Sequence, residues 1–391
     1  MDKQTEILER VNKTIQILGD KKSNIYFFVT DCKNIPNSST LYIYSMARRL
    51  KDLGYNVTML YQLSNEYTKH ELDRLKRLEK PIDKYRVFEG VGKWLSYDEG
   101  FSSLQHLNIA NGEWKVSPSD FLFIPEVFAS MMRETFNKKL PCKRYVILQN
   151  FKYVTEFIPY GDQWANYGIT DAIVATKQLD VLIKDVFPYV RTSILNPQFN
   201  MALSKPLMAK KLIVNIASPK AEVIEHIVKT FYWKYPTMQF VTFRSLKNLP
   251  FDKYVNNLKE GAITIWHDPE TSFGYSAIDA IKCGNIVIGK IPDMMPEWMT
   301  DENGNIVDCA VWYNDVNEVP ELVSKLVGSW MRDEIPQIIT DEMEKISSKY
   351  TFDEWDKNLN KLFDNIFSER LKEIESFKKA LEDKIEKEGK Q

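Results

Sequence analysis

Between Lys210 and Lys290 the chain alternates, three times over, a short apolar run with an amphipathic stretch of helical period. The runs are "KKLIVNIAS", "MQFVTFRS", "AITIWHD" and "NIVIGK"; the stretches between them are "AEVIEHIVKTFYWKYP", "FDKYVNNLKEG" and "SAIDAIKCG". Strands this short and apolar on both faces must be covered on both faces. Parallel neighbours need a crossover of a dozen residues or more, which the helices supply. The pattern therefore predicts a doubly wound parallel α/β sheet.

The first half carries the same alternation less regularly. "NIYFFVTD", the turn-forming "CKNIPNSST", the helix "LYIYSMARRLKDLGY" stopped near Gly54, and "NVTMLYQ" make one β-α-β unit. "DFLFIPE", "RYVILQN" and "DAIVAT" are further buried strands of the same sheet. The pattern restarts near residue 200, with Pro197 in the linker, and 391 residues are too many for one ordinary core. The expected domains are an N-terminal helix at 1–22, a Rossmann-like domain at 23–198, a second at 199–350 and a helical segment at 351–391. The N-terminal helix carries Ile7, Leu8, Val11, Ile15 and Leu18 at helical spacing, ends at Gly19 and reads as an amphipathic helix packed on the outside of a domain. In the C-terminal segment Phe363, Phe367, Leu371, Ile374, Leu381 and Ile385 recur every three or four residues, with Lys378 breaking the stripe. That helix packs on the body, or self-associates as a short coiled coil.

Charge excludes some functions. A net charge of -2 argues against a chain whose main work is gripping a polyanion, and acids interrupt the basic clusters "HELDRLKRLEKPIDKYR" and "NKKLPCKR". Cys32, Cys142, Cys283 and Cys309 stand far apart with no metal-ligand spacing, which fits a reduced, cytoplasmic protein. The first residues alternate charges with Ile and Leu, so neither a signal peptide nor a membrane span is expected.

The stretch "HDPETSFGYSAIDAIKCGNIVIGK" puts an acidic, Gly-containing loop at a strand's carboxyl end and directly before a helix. In open α/β sheets ligands bind there, where helix N-termini offer N–H groups to anions. Backbone around Thr271, Ser272, Phe273, Gly274 and Tyr275 is thus a candidate phosphate cradle. The loop, helix and strand resemble the C-terminal signature of GT-B glycosyltransferases, the retaining family 4 type in particular. The matching residues are Glu270, Phe273-Gly274, Asp279, Cys283-Gly284 and "NIVIG". In strict register Thr271 takes the first acidic place, and Glu270 stands one residue before it. The resemblance implies two Rossmann-like sheets facing a central cleft, the GT-B arrangement, with a long C-terminal helix. It implies transfer of a sugar from a nucleoside-diphosphate sugar, with retention and without an obligatory metal. Glu270 would meet sugar hydroxyls and Asp279 the nucleotide ribose.

The leaving diphosphate calls for cations, and Lys220, Arg244 and, as a weaker third, Lys290 follow strands of the second domain. Asn37, Ser38 and Ser39 occupy the Gly-free loop where the family places a Gly-rich one. "YVILQN" ends in Gln149 and Asn150, amides that orient a hydroxyl but cannot act as a base. Glu126, ending "DFLFIPE", is the alternative base for an inverting reaction. His267 is the one histidine at a site-like position, and no Asp-x-Asp pair ends a strand. No cofactor beyond the donor itself is expected. The acceptor, whether glycan, lipid, protein or nucleic acid, is left open, and a non-catalytic binding or scaffold protein of the same architecture is the competing class.

Overall fold

The computed structural model describes residues 3–29, 38–61, 99–109, 114–197 and 209–388. Asn37, its loop and the charged segment containing His70 lie outside the described residues. Two parallel sheets organise the chain. In chain order the first has β1 (Asn24–Phe28), β2 (Asn56–Tyr61), β3 (Gln105–Asn108), β4 (Phe121–Pro125), β5 (Lys143–Leu148), β6 (Asp171–Val174) and β7 (Arg191–Ile194). Their spatial order is β3-β2-β1-β4-β5-β6-β7. The second has β8 (Lys211–Ala217), β9 (Thr242–Ser245), β10 (Gly261–Trp266), β11 (Ile286–Lys290) and β12 (Ala310–Tyr313), ordered β12-β11-β10-β8-β9. The winding direction reverses between β1 and β4 in one sheet and between β8 and β10 in the other, the places where such sheets bind ligands.

Every residue of β4 and of β10 is buried, as expected of central strands covered on both faces. Helices α1 (Lys3–Gly19), α2 (Ser38–Asp52), α3 (Glu99–Ser102), α4 (Ala129–Asn137), α5 (Phe151–Phe157) and α6 (Lys177–Val186) accompany the first sheet in sequence. The second sheet is interleaved with α7 (Ala221–Lys234), α8 (Phe251–Glu260) and α9 (Tyr275–Lys282), followed by α10 (Val319–Met331) and α11 (Gln337–Lys349). Glycine stops two of these helices. Gly54, at φ 88°, ends α2 with Tyr55 N–H bonded to Leu50 O, and Gly284, at φ 71°, ends α9 with Asn285 N–H bonded to Ala280 O.

By compactness the chain forms two units: Met1–Pro125 with Glu134–Tyr145 and Phe363–Gln391, and Glu126–Arg133 with Val146–Leu362. Within the first, the long helix α12 (Phe352–Glu388) contributes Phe363 and Phe367, whose rings lie 5.5 Å from Phe123 and 4.7 Å from Phe121. Within the second, β8, β10 and β11 and the buried faces of α7 to α11 make one continuous core around Phe231, Trp266 and Trp298. No helix among the described residues is long and apolar enough to cross a membrane.

Candidate active site

The second unit gathers polar side chains at the carboxyl ends of β4, β5, β8 and β10. Glu126, the residue after β4, is 3% exposed, and its Oε1 accepts the backbone N–H groups of Gln149 and Asn150, both at 3.0 Å. Burial pushes its carboxyl up to about 7, against the downward pull of those two donors. A carboxyl poised there exchanges protons near neutrality. The chain after β5 turns into α5 because Asn150 caps it, its side chain accepting Lys152 N–H at 3.0 Å.

The loop after β10 closes on this corner. Ser272 Oγ accepts Phe151 N–H at 3.0 Å, and Tyr275 OH donates to the buried Gln149 Oε1 at 3.0 Å. Lys152 Nζ donates to Glu270 Oε2 at 2.5 Å, and Lys220 Nζ lies 4.0 Å from Glu270 Oε1. The Lys152 hydrogen bond holds the Glu270 carboxyl below the usual carboxylate range. Lys220 is set by β8: Ser218 Oγ accepts its N–H at 3.2 Å, immediately before α7. Beside them burial raises the Asp268 carboxyl, and burial together with Lys290 and Lys220 lowers His267, whose Nδ1 meets Tyr313 OH at 2.8 Å.

The turn itself is rigid. Gly274 stands at φ 79° before α9, its N–H held by Thr271 Oγ1 at 3.0 Å. A Cβ there would fall 2.8 Å from Trp266 and 3.1 Å from Trp298, so only glycine fits. Trp298 Nε1 donates to Phe273 O at 2.6 Å, while the Phe273 ring is buried against Tyr275 and Tyr350.

No family model and no curated protein sequence matches the chain. Solved structures do resemble it. The sucrose-phosphate synthase of Thermosynechococcus elongatus is 11% identical, with 89% of this chain and 100% of that one covered, at a TM-score of 0.57. The pneumococcal O-GlcNAc transferase GtfA, in complex with UDP and GlcNAc, is 9% identical over 90% of this chain and 99% of its own, at 0.59. Anabaena HepE, in complex with UDP-glucose, is 9% identical over 88% and 99%, at 0.52. The fold is GT-B.

In this GT-B chain the structure brings together Glu126, Gln149, Lys220, Glu270, Ser272 and Tyr275, and adds Lys152, which sequence reasoning had not singled out. Thr271, in the strict-register acidic place, is buried and serves the Gly274 turn. Asp279 lies one turn into α9, where its Oδ2 accepts Tyr254 OH at 2.8 Å and burial pushes its carboxyl up to about 7. Arg244 is held elsewhere: Nη1 donates to Glu260 at 2.5 Å and to Asn257 at 3.4 Å, both on the last turn of α8. Lys290 donates to Asn314 O, and Ser38 opens α2.

Proposed function

We propose that the chain is a glycosyltransferase, moving a sugar from a nucleoside-diphosphate sugar to an acceptor hydroxyl in the manner of the retaining family 4 type, in the cytoplasm. The observation that carries this reading is Glu270 bracketed by Lys152 and Lys220 at the carboxyl edge of β8 and β10, next to Glu126 and the Gln149–Tyr275 contact. The fold supports it, since solved structures of the same architecture are described with UDP, UDP-glucose or ADP bound. Residues 199–350 would hold the donor and residues 23–198 the acceptor. Lys220, with the backbone N–H groups of Ser272, Phe273 and Tyr275, would stabilise the growing charge of the leaving diphosphate. Glu270 takes sugar hydroxyls, Asp279 the ribose, and Gln149 orients a hydroxyl of the sugar or acceptor.

In the retaining course the acceptor oxygen bonds to the anomeric carbon on the face the phosphate leaves, and a phosphate oxygen takes the acceptor proton. No side-chain base and no obligatory metal enter that course. One observation favours a second course: Glu126 is a buried carboxyl that titrates at about 7, as a base for inversion requires. Incubation with UDP-, ADP- and GDP-sugars, with nucleoside diphosphate release and the anomeric configuration of the product read by NMR, tests both. A chain that neither binds nor turns over any of these donors is a scaffold, and the proposal fails.

A further inference from the structure

Three charged side chains meet at the carboxyl edge, each from a different segment: Lys152 early in α5, Lys220 before α7, and Glu270 after β10. Their side chains are 43%, 46% and 41% exposed. Ion pairs so accessible contribute little to stability, so a clamp on the fold does not account for them. What the cluster offers is a pair of ammonium groups held by one carboxylate. A diphosphate brings more charge and more acceptor oxygens than a carboxylate and can engage both ammoniums at once. Arg244, which the sequence offered for that role, is engaged by Glu260 and Asn257.

We propose that Lys152 and Lys220 together form the diphosphate clamp of this protein, and that Glu270 occupies the clamp as an internal counter-ion when no donor is bound. Donor binding transfers the two lysines from Glu270 to phosphate oxygens and frees the carboxylate for the sugar hydroxyls. The inference rests on the transferase reading for the identity of its ligand, but the clamp itself can be tested without it.

The full chain is titrated calorimetrically with UDP, ADP, UMP and inorganic pyrophosphate at low and near-physiological salt. Lys152→Ala is expected to weaken UDP or ADP, and pyrophosphate, by about tenfold, the worth of one charge-assisted hydrogen bond, and to leave UMP little changed. Lys152→Arg should recover most of that loss. Glu270→Gln removes the competing carboxylate and is expected to tighten diphosphate binding several-fold, an effect that shrinks as salt rises. A Lys152→Ala protein that melts like the wild type and binds diphosphates equally well overturns the clamp, as does weaker diphosphate binding by Glu270→Gln. Lys152-dependent binding of pyrophosphate without binding of either nucleoside diphosphate upholds the clamp and removes the transferase reading. Nucleoside diphosphate binding indifferent to Lys152 does the reverse, and no binding of any probe overturns both.

Discussion

Replacing Glu126 by Gln separates a buried charge from the hydrogen bonds that hold it. Gln retains an oxygen for the N–H groups of Gln149 and Asn150, at 3.0 Å each in the native protein, and carries no charge. The native carboxyl ionises near 7 in the fold and near 4.5 in the unfolded chain. At low pH both states are protonated and there is no penalty. As pH rises from 4.5 toward 7 the unfolded chain releases its proton first, so native stability falls; above 7 both are ionised and the loss is constant, about 3 kcal/mol for this gap. Asp279 shows the same tendency but is common to both proteins and cancels in the comparison. Glu126→Gln is therefore expected to match the native protein at pH 4.5 and to exceed it by about 3 kcal/mol at pH 8, read as urea midpoints across that range. A difference that stays constant with pH, or a Gln variant less stable at pH 8, refutes the account of the buried carboxyl. The same variant decides the chemistry. If Glu126 is the base, turnover at saturating donor falls at least about a hundredfold; if a phosphate oxygen takes the proton, turnover at saturating donor survives.

Gly274→Ala forces a side chain into a left-handed turn and against Trp266 and Trp298, and should cost about 2–4 kcal/mol in thermal or denaturant unfolding. A variant as stable as the native protein would mean the turn can relax. Asp279→Ala is expected to weaken nucleoside diphosphate binding about tenfold and to erase discrimination against a 2′,3′-dideoxyribose analogue, with Tyr254→Phe intermediate because it loosens the Asp279 side chain. Binding by the native protein should strengthen between pH 6 and 8 as that carboxyl ionises, and a flat profile counts against ribose recognition. Arg244→Ala is expected to lower stability through the Glu260 pair while leaving UDP or ADP affinity unchanged; a tenfold loss of affinity would return Arg244 to the donor site.

The parts of the fold that could be read in the sequence are those whose physics is local or doubly buried. β1, β4 and β10 are central strands, so their apolar runs are unmistakable, and Gly54 and Gly284 mark helix ends by their left-handed backbone. β3, β7 and β12 are not among the strands legible in the sequence, and all three are edge strands. "QHLN" and "RTSI" need no second apolar face, and a strand at an edge is short and partly solvated. The candidate site follows the same division. Glu126, Gln149 and Glu270 follow apolar runs, so the rule that parallel sheets bind ligands at their carboxyl ends selects them. That rule gives a residue's height on the sheet and not the direction of its side chain. Arg244 stands one residue before the end of β9, yet reaches Glu260, which precedes the amino end of β10. Lys152 lies 118 residues from its partner, and no local pattern joins the two. Its one local trace is a conflict: a cation in the first turn of a helix opposes the helix dipole. A lysine in that place is offset by negative groups within reach: Glu270 accepts its hydrogen bond, Glu156 and Asp268 add to the attraction, and the anion proposed above would take the place of Glu270.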